Sequence, residues 1–441
     1  MKLNTKLISM FLSGCLLAGT MPFYAQTRSN KGLKKGVNLA ANITNKKKEP
    51  PRTYLNLGLI SNYSCLNGVG INAISSITHY HSIGFQVAGI TNVTGLNASG
   101  FQLSGIANVT GKDTKGITLA GLMNVTGNSS SGIAVSAIGN VAGLDAKGIF
   151  IGGLVTIAGR NSSGVHFAGL ANVTKKTQKG VFIGGLMNVS GETLKGVQLT
   201  SLLNVAGTQN KGLQLAALGN IAVDNRGMQL GITNYGEQNN GLQAGLANVS
   251  VKTAKGLQLG IVNISQDSTA HQIGCINITP HTNYQMIISG GNLNKVNLAI
   301  RFKNRHTYTE LGGGAFYLNS DYKASVSAFY RGGLYCSLLP RLELSADAGF
   351  YHIETLDNKN QGIPARLYAL QPRINVEYRI GSKLGIFASG GYSWTRQYGH
   401  SSMFDHKATF EAGIVLFYIL KKKFYPFKLA ERTLLNVSGV I

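Results

Sequence analysis

Few residues in this 441-residue chain have the types and spacing that chemistry needs. Acidic residues total 17, and no Gly-x-Ser-x-Gly, His-Glu-x-x-His, phosphate-loop or calcium-loop pattern occurs. His79-Tyr80-His81 is the one close histidine pair. At i, i+2 on a strand both imidazoles point to the same side, as two ligands of a metal ion must. No third ligand follows nearby, so a metal site is not expected there. Gly312-Gly313-Gly314 falls inside a strand-like run, where glycine allows close packing rather than phosphate binding. Cys65, Cys275 and Cys336 are odd in number, widely spaced and free of any CxxC pair. They read as small apolar core residues rather than a disulfide or zinc framework. With catalytic, cofactor and metal candidates all lacking, the chain is expected not to be an enzyme.

Charge is the global property with functional reach. The formal net charge is +24, which draws an exported protein toward the phosphates of lipopolysaccharide, acidic glycans or nucleic acid. No aromatic-rich basic patch suited to stacking on bases is present, so specific nucleic-acid recognition is not expected. Five lysines, Lys115, Lys147, Lys179, Lys195 and Lys211, recur at one position of a repeat, diluted by Ser99, Ser131 and Ser163. They form a candidate anion-binding stripe, with a merely solvated turn as the alternative.

The element that positions them is the repeat itself. Its opening glycines run Gly68, Gly84, Gly100, Gly116, Gly132, Gly148, Gly164, Gly180, Gly196 and Gly212, each 16 residues on, then Gly227, Gly241 and Gly256 at 15, 14 and 15. The unit Gly100-Phe101-Gln102-Leu103-Ser104-Gly105-Ile106-Ala107-Asn108-Val109-Thr110 shows the consensus: glycine, apolar, variable, apolar, two small, apolar, variable, Asn, Val, polar turn. Alternation at period two marks two very short strands per unit. Such strands are too short for stable hairpins or a membrane crossing. Stacked as coils they pair in parallel at roughly 4.8 Å, a dozen coils making a rod of about 60 Å. Asn92, Asn108, Asn124, Asn140, Asn172, Asn188, Asn204 and Asn220 then fall in one column, predicting a ladder of amides that donate from coil to coil. Glycosylation sequons are the alternative for the Asn-Val-Thr and Asn-Val-Ser triplets.

From Lys295 the pattern changes to longer strands with strict alternation, near 296–303, 307–318, 322–335, 340–353, 366–380, 383–396 and 407–419. Val296, Leu298 and Ile300 oppose Asn297, Arg301 and Lys303, and Ile374, Val376 and Tyr378 oppose Asn375, Glu377 and Arg379. One apolar and one charged face is the character of a membrane barrel, in which strands are even in number; Tyr284–Gly290 is the candidate eighth. Tyr317, Tyr330, Tyr335, Tyr351, Tyr392 and Trp394 are candidates for interfacial girdles. A soluble antiparallel sandwich is the alternative.

Residues 1–25 carry Lys2 and Lys6, an apolar run from Leu7 to Phe23 and a small residue at Ala25, the layout of a cleaved signal peptide. Leu12-Ser13-Gly14-Cys15 offers a lipoprotein reading instead. Beyond this leader no run of 18 apolar residues occurs, so any membrane span must be β. The expected layout is all-β: a basic linker with one degenerate repeat over 26–53, a β-solenoid of about 16 residues per coil over 54–283, an antiparallel eight-stranded outer-membrane-type β-barrel over 284–420 and a basic tail over 421–441.

The units Gly212-Leu213-Gln214-Leu215-Ala216-Ala217-Leu218-Gly219-Asn220 and Gly256-Leu257-Gln258-Leu259-Gly260-Ile261-Val262-Asn263 resemble the Gly-Leu-Gln-Leu/Ile-Gly-Leu-x-Asn repeats of a family of uncharacterised bacterial surface-repeat proteins. The similarity covers about 54–280 and implies secretion and surface exposure, with no catalytic residues. The C-terminal region resembles outer-membrane β-barrels more loosely. The expected function is a non-catalytic protein at the outer membrane or surface of a Gram-negative cell, its rod serving adhesion or display toward lipopolysaccharide or acidic glycans. An outer-membrane pore or uptake protein is the alternative.

Overall fold

The computed structural model describes residues 52–253, 255–317, 325–356, 364–399 and 403–418, and the backbone of 40–45. The leader at 1–25 with Cys15, most of the basic linker and the tail at 421–441 lie outside the described residues. The described chain is entirely β, and it divides into two compact units, one ending at Glu237 and the other beginning at Gln238.

The first unit is a parallel β-solenoid. Each coil holds a longer strand through the opening glycine, such as Asn97–Ser104, and a four-residue strand, such as Ala107–Thr110. Both pair in parallel with the same residues one period on, Gly100 with Gly116 and Asn108 with Asn124. The opening glycines are what the stacking requires. From Gly84 to Gly180 their φ lies between 107° and 124°, a region closed to other residues, and a Cβ on Gly116 would stand 2.0 Å from the Gly100 carbonyl oxygen. The N-terminal end departs from the repeat pattern: Ala40–Asn45 pairs antiparallel with Arg52–Gly58 rather than stacking as a further parallel coil.

Side-chain directions divide the coil sharply. Counting from the opening glycine, positions −2, +2, +4, +8 and +10 point inward, as in Ala98, Gln102, Ser104, Asn108 and Thr110. Polar and small residues fill most of this narrow interior, with Leu66, Phe150, Phe182 and Leu194 among the large apolar side chains that also point inward. The apolar positions +1, +3 and +6 point out, and in one coil Ile149, Ile151 and Leu154 are 44%, 41% and 43% exposed.

In the second unit the repeat occupies Leu242–Thr253, Leu257–Ser265, His271–Ile273 and Ile276–Ile278, again in parallel register. A closed antiparallel barrel follows, with strands β1 Asn283–Gly291, β2 Asn294–Lys303, β3 Thr307–Tyr317, β4 Ser325–Leu339, β5 Leu342–Thr355, β6 Arg366–Arg379, β7 Leu384–Gln397 and β8 Met403–Tyr418. The strand expected near Tyr284–Gly290 is β1, which closes the barrel against β8, Ile287 facing Val415. Many apolar side chains point outward, with Ile374 60% and Phe410 66% exposed. The lumen takes the polar and charged ones together with an apolar cluster that includes Ile287, Phe329, Ile353, Leu367 and Val415.

Two expectations need correction. Cys65 is buried, but Cys275 is half-buried and Cys336 exposed, so they do not form a set of core residues. Tyr335 and Tyr351 share the inward parity of Arg331 and Asp347 and lie inside the barrel rather than in a girdle; Tyr351 is fully buried. The Tyr317 side chain lies outside the described residues. Outward aromatics that remain include Tyr330, Phe350, Tyr378, Tyr392 and Trp394.

Candidate functional site

The amide columns are the most ordered polar groups of the first unit. Asn108 Nδ2 donates to Asn124 Oδ1 at 2.9 Å and to the Leu119 carbonyl one coil on at 2.8 Å. The same bonds link Asn92 to Asn108, Asn124 to Asn140, Asn172 to Asn188, Asn188 to Asn204 and Asn204 to Asn220 at 2.8–3.2 Å. Thr156 interrupts the column; its hydroxyl donates to Asn172 Oδ1, and Asn140 keeps the Ile151 carbonyl at 2.8 Å. All eight side chains are buried, which closes them to a bulky glycan.

A second column stands at +2, the position that looked variable in sequence. Gln102 donates to Gln86 at 3.0 Å, Gln214 to Gln198 and Gln229 to Gln214 at 2.9 Å. Between these runs the column changes chemistry. Phe150, His166 and Phe182 stack face to face at 4.9 Å per step. Burial pushes the His166 imidazole down to about 4, against a weak pull the other way from the Ser163 carbonyl, so the ring is neutral at pH 7.

The five lysines Lys115, Lys147, Lys179, Lys195 and Lys211 are all exposed. Register places Lys115, Ser131, Lys147, Ser163 and Lys179 on successive coils of one column. On the same polar side Arg160 binds Asp145 at 2.6 Å, a bond that holds the Asp145 carboxyl below its usual range, and Lys176 pairs with Glu192 at 3.5 Å. The stripe lysines therefore border two carboxylates already engaged by other cations.

The barrel lumen is packed with charge. Arg301 bonds Glu310 at 3.2 Å and Glu377 at 2.7 Å; Arg331 bonds Asp347 at 2.9 Å; Arg373 bonds Asp347 at 3.0 Å and Glu411 at 2.6 Å; Lys303 pairs with Glu343. Four cations thus face five carboxylates. Tyr351, Gln371 and Asn375 complete the network with hydrogen bonds to Arg331 and Asp347. Gly312 makes room for the Phe329 ring of the neighbouring apolar cluster, since a Cβ there would stand 2.4 Å from it. Among Asn294, Asn297, Arg331, Gln371 and Glu411 the lumen leaves a cavity of about 20 Å³. That holds a water molecule, not a solute.

His79 and His81 gain no third ligand: among the described residues no three His, Cys, Asp or Glu side chains are gathered for a metal ion.

The fold is therefore a parallel β-solenoid with a closed eight-stranded β-barrel, a combination that fits a surface or outer-membrane protein. No family model matches the chain, and neither does any curated protein. Among solved structures, one reported under "De novo design of transmembrane beta-barrels" is similar at 16% identity and a TM-score of 0.22, covering 31% of this chain and 95% of that one. A likeness of that size carries no functional argument.

Proposed function

We propose that this chain is a non-catalytic cell-envelope protein, held in the outer membrane of a Gram-negative cell by its barrel and presenting its repeats for extended contact with anionic partners. The observation that carries this reading is the barrel's section: an apolar outer belt around a lumen sealed by paired charges, which suits an anchor rather than a conduit. A pore would need a continuous water path where Arg301, Arg331 and Arg373 are bonded to carboxylates.

The connections support a side for the repeats. The last coil enters β1 at the end where strands are joined by residues 304–306, 340–341 and 380–383; two of the connections at the other end, 318–324 and 356–365, are longer. Short turns face the periplasm in barrels of this type. This favours repeats on the periplasmic side over outward display.

Protease treatment of intact and permeabilised cells tests the reading. The repeats are expected to be cut only after permeabilisation, and the purified protein to give no stable conductance in planar bilayers. Cleavage on intact cells would restore outward display, and defined conductance steps would restore the pore.

A further inference from the structure

The outer surface of the first unit is divided lengthwise. Columns +1, +3 and +6 carry residues such as Ile149, Ile151 and Leu154. The remaining side, at −3, −1 and +12, carries residues such as Asp145, Lys147 and Arg160. Nine coils from Gly84 to Gly212, at about 4.8 Å each and about 16 Å of strand from +1 to +6, give an apolar surface of about 700 Å². Contiguous patches above a few hundred Å² mark a protein or membrane contact.

Three observations point to lipid. The partition of amides inside and aliphatics outside is the reverse of a sheet folded for water, and the barrel in the second unit likewise turns a belt of aliphatics outward, around a lumen of paired charges and an apolar cluster. Within that second unit the last coil meets the barrel's outer wall: Thr309 donates to the Cys275 carbonyl at 2.9 Å and Tyr330 to the Gly274 carbonyl at 3.2 Å. Both donors are on the wall's outward side, and Cys275 follows Leu246 and Ile261 in the apolar corner column. The third observation is charge: the lysine column at −1 lies two residues from the apolar column at +1, so cations rim the apolar surface.

We propose that the apolar columns of the repeat lie against an anionic phospholipid leaflet, with aliphatic side chains in the interfacial region and the −1 lysines at headgroup phosphates. The inference rests on the envelope reading above. A second copy of the chain would also cover aliphatics, but it would set two lysine rims side by side; anionic lipid neutralises them.

The test uses the full chain reconstituted in phosphatidylcholine–phosphatidylglycerol vesicles whose acyl chains are brominated, a quencher of tryptophan in hydrocarbon. The chain's one tryptophan, Trp394, points outward from β7. In a Trp394→Phe background, Leu154→Trp and Leu186→Trp place a reporter on the apolar corner, and Ser131→Trp places one on the polar side. Quenching at 154 and 186 is expected to be several-fold greater than at 131, and to fall when phosphatidylglycerol is omitted or when Lys115, Lys147, Lys179, Lys195 and Lys211 are all changed to Gln. Circular dichroism checks that each variant folds. Equal weak quenching at 154, 186 and 131 overturns the proposal, and so does a blue-shifted, unquenched reporter at 154, which a second copy would give. Quenching indifferent to both charge changes overturns the role of the lysines. Unquenched Trp394 in the parent sinks the barrel anchor instead, a result separate from the repeat reporters.

Discussion

Acidification should loosen the repeat at one place, the Phe150–His166–Phe182 stack. His166 is 2% exposed, and burial pushes its imidazole to about 4, whereas in an unfolded chain it titrates near 6.5. Above about pH 6.5 the ring is neutral in both states and its titration contributes nothing. Between about 6.5 and 4 the opened chain takes up a proton that the folded one refuses, so stability falls with pH through that window and levels off below it. The gap between about 6.5 and about 4, at 1.36 kcal/mol per pH unit, is worth about 3 kcal/mol, or on the order of a hundredfold in the local opening equilibrium. Hydrogen exchange of the amides in Asn161–Ala168 and Thr177–Gly184, read by mass spectrometry, reports that opening. The comparison is with His166→Phe, which continues the ring stack without a titrating group. The ratio of exchange rates, parent to variant, should rise by two orders of magnitude or more between about pH 7.5 and about pH 4, other titrations cancelling in the ratio. A ratio unchanged across that range would mean the ring is not buried neutral, and the reasoning fails.

Asn172→Ala removes the acceptor of Thr156 and the donor to Asn188 and the Ile183 carbonyl, and should cost about 1–3 kcal/mol in the same exchange assay. Asn128→Ala, at a half-exposed corner, should stay within about 0.5 kcal/mol, and equal losses would count against the amide column as a source of stability. Arg373→Ala leaves Asp347 and Glu411 short of a buried partner and should destabilise the barrel by about 3–5 kcal/mol, seen as loss of the compact, heat-modifiable band in cold detergent gels; an unchanged transition would mean the lumen carboxylates are solvated.

Much of this architecture was legible because β structure writes its period into sequence. The 16-residue interval fixed the coil length through glycines that no other residue can replace at φ near 115°. The barrel faces followed from alternation, and strict parity from Asp347 through Gly349 would have put Tyr351 in the lumen rather than in a girdle. The +2 column was opaque for a physical reason. Gln102, Thr118, Ala134, Phe150, His166 and Phe182 look unrelated residue by residue, yet a stacked column is satisfied equally by amides donating to amides or by rings lying on rings. The quantity that must match is the neighbour one coil away, which is 16 residues off in sequence. The lumen network was opaque too: alternation marks Arg301 and Glu377 as inward, but their 2.7 Å bond joins strands opposite each other in the barrel.

Alternation also leaves open which of two faces turns inward, and here the sign runs against the usual expectation for water. The interior admits single large apolar side chains such as Phe182 and Leu194, but most of its five positions per coil hold small residues or amides, and an amide such as Asn108 finds its partner one coil on. Such an interior gains little from the hydrophobic effect, because most of the apolar surface stays outside whether the chain is coiled or not. The hydrogen bonds fix the register; each nets only about 1 kcal/mol once exchange with water is counted. A solvent that covers the outer columns when the chain is coiled adds what the interior lacks, since a ligand bound only to the folded state stabilises it by mass action. Coil stability should therefore depend on lipid, with exchange in the repeat slower in vesicles than in a mild detergent above its critical concentration. Exchange faster in vesicles would mean that the aliphatic columns are tolerated in water and that the coils hold by their amides alone.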